Sequence, residues 1–555
     1  MKKTILSVIF TTIIVLAAYA GQGISFYKAG FPDVAKQVLI SDLATEANVA
    51  ETAFYLGNTF FLEGNAEQAA FYFAKGLAAD PSCPYNEIGQ AMLVMKTTPV
   101  KDMDAKIKSI INKKNYKDYK KNAGMYMAIS YAYLYNGMIS KALEFQEKAK
   151  NINVKNPEVY VLLGDIYEKN DIGQACGYYE MALNYDENCI EAYIKHARAY
   201  KSVNSRLAIE RLMQLKQKDP SFVLADRELG DTYYYTNDFG KAAEYYDRYL
   251  QSGNKTNVND LVKYSMALLW NKDLKKSVEV ALLGLSKDPR NPALNRLLLY
   301  NYTELENYDK ALEFADKLFN KSDGAVILFM DHTYHARALK GSQKIELAAA
   351  AYAKAIEMEP ERVDLWKDVS DMYRGVSDYP NAISAYLKYK NHIEKNAGIT
   401  DFIKNNLNYS LGQMYYFGGR DTTTTVEVRR EMLQNAATIF GNFAEADPDN
   451  YLGNFWRARA NLGIEQIDNK AVGLAKPYYE QTIVLGESKN DVPNTVLIEC
   501  YNYMASYLFN ADNLRASLEY WNKMLKIDPN HKDAKIVSKY IEEQIKEARK
   551  ARSQQ

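Results

Sequence analysis

The chain has 555 residues, and its 69 Lys+Arg are balanced by 69 Asp+Glu. A formal charge of zero leaves no basic excess to neutralise phosphates, which argues against a nucleic-acid binder. The length exceeds what one compact core usually spans, so the chain is either multidomain or a repeat array. Tyr is the compositional outlier at 45 residues, with Pro low at 14. A fold that places aromatic residues at set positions in every unit accounts for that.

The chain begins Met1-Lys2-Lys3, continues with an apolar run from Ile5 to Ala18, and reads Ala18-Tyr19-Ala20 before Gly21. A charged start, a short apolar stretch and an A-x-A pattern predict a secretory signal peptide over residues 1–20. An uncleaved anchor is the other reading, but the run is short for a bilayer span. No Cys follows it, so a lipoprotein anchor is not expected. The expected product is exported, periplasmic or outer-membrane-associated, with no integral membrane segment once the signal is removed. Four cysteines, Cys83, Cys176, Cys189 and Cys500, remain. Cys176 and Cys189 flank a predicted helix and are too far apart along it to bridge, so no disulfide is expected.

From residue 50 onward the chain repeats. Pro220, Pro289 and Pro360, each after an acidic residue, are spaced 69 and 71 residues apart, twice a period of about 34. Leu56-Gly57 is followed by Phe60, Ala69, Phe73 and Pro81. Leu163-Gly164 is followed by Tyr167, Ala175 and Tyr179, and Leu229-Gly230 by Tyr233, Ala242 and Tyr246. Trp366 leads to Val369, Tyr373, Ala382 and Tyr386, and Leu411-Gly412 to Tyr415, Ala436, Phe440 and Pro448. Leu, Gly and Tyr at i, i+1 and i+4 put an apolar stripe with a gap on one helix. Ala and Phe/Tyr four apart supply the facing stripe on the next, which Pro terminates.

This pattern resembles the tetratricopeptide repeat family. The resemblance implies an all-α, right-handed superhelical solenoid of antiparallel helix pairs, because no single hairpin buries its own apolar face. Units fall near 50–83, 84–121, 123–156, 157–189, 190–222, 223–257, 258–291, 292–328, 329–362, 363–398, 405–450, 452–490 and 498–531, some 12–13 repeats within a solenoid spanning 21–532. Those at 84–121 and 452–490 are degenerate. About 12 residues are inserted near 418–430, as a protruding loop or a helix extension. Residues 24–48 read as a truncated first hairpin, and 533–555 as a polar capping helix and tail.

No catalytic motif is found: there is no phosphate-binding loop, nucleophile elbow or zinc-protease helix. His332 and His335, three apart, could approach one metal, but their register places them among packing positions. The expectation is therefore no enzyme activity, no cofactor and no metal. The resemblance implies that the first helix of each hairpin lines a groove. The residues expected there are Phe54, Asn58, Tyr131, Tyr135, Arg227, Tyr234, Tyr235, Trp270, Arg296, Tyr300, Arg337, Lys367, Arg374, Tyr409, Gln413 and Tyr416. Aromatic bodies with polar tips suit extended peptides or sugars. The Lys/Asn clamp by which some members hold a partner's carboxyl end is incomplete here. The expected role is a protein- or peptide-binding scaffold of a bacterial envelope, with an outer-membrane complex as one place for it. A carbohydrate- or peptidoglycan-binding solenoid is the alternative.

Overall fold

The structure is a computed structural model that describes residues 22–44, 48–252, 257–395, 398–470, 472–489 and 492–553. The signal segment expected over residues 1–20 lies outside the described residues. Every regular element among them is helical. None of the described helices is long and apolar enough to cross a membrane.

Contacts divide the chain into two units. The first holds the described residues up to Leu305 together with Asp316–Ala325. Its helices are α1 (Gly23–Lys28), α2 (Pro32–Ala44), α3 (Val49–Leu62), α4 (Ala66–Ala79), α5 (Tyr85–Val94), α6 (Val100–Ile111), α7 (Ala123–Tyr135), α8 (Ile139–Ile152), α9 (Pro157–Tyr167), α10 (Ile172–Tyr185), α11 (Ile190–Tyr200), α12 (Ser205–Lys218), α13 (Leu224–Tyr235), α14 (Phe239–Gln251), α15 (Val258–Trp270), α16 (Leu274–Leu285) and α17 (Pro292–Glu304). The second holds Glu306–Ala315 and Val326 onward. It begins in α18 (Tyr308–Asp316) and continues through α19 (Phe329–Gly341), α20 (Ile345–Met358), α21 (Asp364–Gly375), α22 (Tyr379–Glu394), α23 (Asp401–Arg420), α24 (Val426–Ala446), α25 (Tyr451–Asp468), α26 (Lys476–Lys489), α27 (Asn494–Asn510), α28 (Leu514–Ile527) and α29 (Lys532–Ser553). Within each unit consecutive helices pair as hairpins, and neighbouring hairpins pack on one another.

The glycine gap explains the pairing. A Cβ on Gly164 would lie 2.2 Å from the Tyr179 ring, on Gly57 2.4 Å from Phe73, and on Gly412 2.8 Å from Phe440. Those three rings are fully buried, which contributes about 1.5–3 kcal/mol each. Other hairpins replace this Gly by Ser and bond across the same seam. Ser130 donates to the Ala142 carbonyl and Ser370 to that of Ala382, both at 2.8 Å. Tyrosine hydroxyls then reach acidic residues that also hold a lysine of the following hairpin. Asp247 on α14 accepts from Tyr264 on α15 at 2.7 Å and pairs with Lys276 on α16 at 2.8 Å. Asp104 does the same with Tyr133 and Lys141, and Glu487 with Tyr501 and Lys523.

The degenerate stretch 84–121 is a hairpin whose second helix starts only after Pro99, followed by two 3-10 turns, Lys114–Tyr116 and Tyr119–Lys121. Around 418–430 the extra residues lengthen both helices of the α23/α24 hairpin to 20 and 21 residues. The connection between them, residues 421–425, is short. All four cysteines are free and buried.

The first hairpin has an unusual seat. Besides stacking on α3, the first hairpin reaches the first helices α7, α9, α11 and α13 and the residue that caps α15. Tyr27 shares a hydrogen bond of 2.9 Å with Tyr135 on α7, and Lys28 pairs with Glu158 on α9 at 2.7 Å. Arg198 on α11 donates to the Gly30 carbonyl at 2.8 Å and lies 4.4 Å over the Phe31 ring. Gly30 has φ +83°, a left-handed conformation open to glycine, and a Cβ there would meet Arg198 at 2.5 Å. Arg227 on α13 bridges Asp33 at 3.0 Å and Asp260 on α15 at 2.8 Å, and Asn257 donates to Asp33. Phe26 and Phe31 both pack on Phe222. Burial, with the negative charges of Asp33 and Asp231 adding to it, outweighs Arg227 and pushes Asp260 up to about 6.

Two measurements check these assignments. Gly164→Ala is expected to lower unfolding stability by about 1–3 kcal/mol through overpacking. Gly177→Ala, at an exposed helical site of the same hairpin with nothing within 4 Å, is expected to raise it by about 0.5–1 kcal/mol. Asp260 has a native pKa above its unfolded value of 3.8, so the native state takes up its proton first. Wild-type stability therefore gains from this group as pH falls through about 6 and loses it as pH rises. In Asp260→Asn that component disappears, read as a flatter profile of melting temperature between pH 7.5 and 5.

Candidate functional site

The residue after the glycine gap points out of the hairpin seam from each first helix. In the first unit this place is taken by Asn58, Tyr131, Asp165, Arg198, Asp231 and Met266. The face they share is largely occupied by α1 and α2. Arg227 and Tyr135 are bound to the first hairpin as described. Tyr131 is half-buried, its ring 5.6 Å from that of Tyr135. Phe54 is buried among Tyr55, Phe73 and Tyr85, and Asn58 is buried as well. The remaining expected positions of this unit lie beyond the first hairpin. Tyr234 is half-buried and donates to the Met266 sulfur. Tyr235 and Trp270 are exposed, with Trp270 6.3 Å from the Phe239 ring. Arg296 is half-buried and Tyr300 buried, both on α17.

In the second unit the same register carries Arg337, Asp371 and Gln413. Arg337 is exposed and stacks 4.8 Å over Tyr334. Lys367 and Arg374 are exposed on α21 and flank Asp371, Arg374 at 3.0 Å. Tyr409 accepts hydrogen bonds from Trp456 at 2.8 Å and from Gln413 at 3.2 Å. Tyr416 meets Trp456 edge-on at 5.2 Å. The structure thus brings Tyr409, Gln413 and Tyr416 into one cluster with Phe417, Trp456 and Arg459, which were not among the expected site residues. Phe417 is 45% exposed and lies 6.0 Å from Trp456. Arg459 lies 4.8 Å over Trp456 and forks onto Glu499 at 2.8 and 2.5 Å. Arg420, one turn beyond Phe417, is exposed and bonded to Gln466. Register alone could have found Arg198, since it follows the gap residue Ala197. The Trp456 cluster joins α23 to α25, whose departure from the repeat motif hid the place of Trp456 and Arg459.

His332 and His335 are half-buried on α19. Burial, then the neighbouring His332, pushes His335 down to about 4, so it is neutral at physiological pH. Among the described residues no group of three or more His, Cys, Asp or Glu is placed to hold a metal ion.

The family model described as Tetratricopeptide repeat matches residues 335–396. No curated protein matches the chain. Among solved structures, the C-terminal part of a TPR repeat-containing protein from Cytophaga hutchinsonii is 25% identical, covering 50% of this chain and 98% of that one at a TM-score of 0.34. A tetratricopeptide repeat protein from Parabacteroides merdae is 20% identical over 42% of this chain and 93% of that one, TM-score 0.32. PilW, a type IV pilus biogenesis factor, is 20% identical over 38% and 96%, TM-score 0.31. Residues 335–396 thus match the tetratricopeptide repeat, and the recurring Leu-Gly-x2-Tyr…Ala-x3-Phe/Tyr register and paired antiparallel helices show repeats of that type in both units.

Proposed function

We propose that this chain is a non-enzymatic scaffold, exported by its first twenty residues, that holds a partner protein on the first-helix face of its second unit. One observation carries the reading. Much of the equivalent face of the first unit is taken by the chain's own first hairpin, which leaves Tyr235 and Trp270 exposed beyond it, whereas the second unit keeps aromatic and basic groups exposed together there. Phe417, Arg420, Lys367, Arg374 and Arg337 are all exposed, and Tyr416 and Trp456 stand behind Phe417. Aromatic anchors beside arginines are the usual centres of binding energy in protein interfaces. The basic excess suits a partner segment with acidic and aromatic side chains. Interleaved charges favour a peptide over a neutral sugar. A place in a bacterial envelope, in the periplasm or in an outer-membrane complex, follows from the signal-like start of the sequence.

Crosslinking in envelope fractions followed by affinity purification tests this. A partner recovered with the wild type is expected to bind Phe417→Ala/Arg374→Glu at least about 30-fold more weakly, the equivalent of about 2 kcal/mol at a central anchor. Tyr235→Ala, on the first unit, is expected to bind it unchanged. Recovery of glycan in place of protein, or equal binding by the double variant, would overturn the assignment.

A further inference from the structure

The first hairpin does not fill its seat completely. Beside Lys28 a cavity of about 160 Å³ remains between the hairpin and the first helices α3, α5, α7 and α9. It holds several waters or one long side chain, and is smaller than pockets that take whole small molecules. Its walls include the rings of Tyr55, Tyr85 and Tyr131 and the carboxylates of Glu51, Glu158 and Glu191.

Three features define what it accepts. Glu158 is neutralised by Lys28, whose ammonium also lies 5.7 Å from the Tyr55 ring centre. The chain's own lysine therefore already shows the chemistry that the walls favour, a cation between carboxylate and aromatic faces. Glu51 and Glu191 are half-buried and make no ion pair within 4 Å among the described residues, Lys28 acting on Glu191 only at longer range. Their polar contacts are only the Asn48 amide and the Cys189 thiol. Asn58, 3% exposed and lining the same cavity, has a buried side-chain Oδ1 with no hydrogen-bond donor among the described residues. A buried acceptor left unpaired costs about 1–3 kcal/mol, so a group that satisfies it is favoured there.

We propose that this cavity is a binding site for a cationic side chain, the lysine of a partner peptide, whose ammonium sits between Glu51 and Glu191 against the tyrosine rings. The backbone N–H of that lysine donates to the Asn58 Oδ1. The site lies in the first unit and is independent of the second-unit face, so either assignment can fail alone.

Calorimetric titration of the full chain with the peptide acetyl-Gly-Lys-Gly-amide tests it, with the acetyl-lysine and norleucine peptides as comparators. The lysine peptide is expected to bind, with the neutral peptides weaker by about tenfold or more. Raising salt is expected to narrow the difference. Glu51→Gln/Glu191→Gln, with an unchanged circular dichroism spectrum, is expected to abolish the preference. If the wild type binds no lysine peptide, or binds all three alike, the proposal is wrong. Should the double variant misfold, the comparison among peptides on the wild type still decides.

Discussion

Everything in this molecule depends on one close approach, an aromatic ring of the second helix laid against the bare backbone of a glycine on the first. Gly57, Gly164, Gly230 and Gly412 all face such a ring closely enough that a methyl group would collide with it. This sets the distance between the helices of a hairpin and therefore the flat faces that the hairpin offers its neighbours. Ring hydroxyls then leave the seam and meet carboxylates shared with lysines of the next hairpin. Packing within a unit and stacking between units are thus joined through the same residue type, which is why tyrosine is so abundant.

A repeat built this way exposes the outer side of its first helices, and the two units treat that side differently. In the first unit the chain folds its own N-terminal hairpin onto it, with Arg198 and Arg227 reading a backbone carbonyl and an aspartate. The contacts span up to 224 residues of sequence. Long-range pairing of that kind stiffens an array whose members otherwise touch only their neighbours. It also leaves Asp260 desolvated beside two other acids, a cost that the surrounding packing must offset. In the second unit α23 and α25 carry an aromatic cluster around Trp456 to the corresponding side, where Phe417 and Arg420 stay exposed.

Much of the hairpin architecture was legible in sequence, because period, gap and terminating proline are local signals. The Leu-Gly-x2-Tyr spacing locates the first helices, and Ala-x3-Phe/Tyr the second. Serine in place of the gap glycine was harder to read, since its hydroxyl works through a carbonyl twelve residues on. The seat of the first hairpin had no sequence signal at all. Tyr27, Lys28, Gly30 and Asp33 each find partners more than a hundred residues away, and no periodicity encodes that. Of the residues read as facing a groove, Phe54 and Asn58 line the cavity beside the first hairpin, and Tyr135 is bonded to Tyr27. Phe417 holds the register place of Tyr235 and Trp270 and could have been read from it, whereas Trp456 lies in the degenerate unit, where the motif gives no register.

The occupied face of the first unit is the claim from which the division of labour follows, and amide hydrogen exchange on the intact chain tests it most directly. The expected result is that amides of 24–44 are protected to the level of α11 and α13, and lose that protection when Arg198 and Arg227 are both replaced by alanine. Rapid exchange across 24–44 in the wild type, with α11 and α13 still protected, would show the hairpin free of its seat and contradict the account.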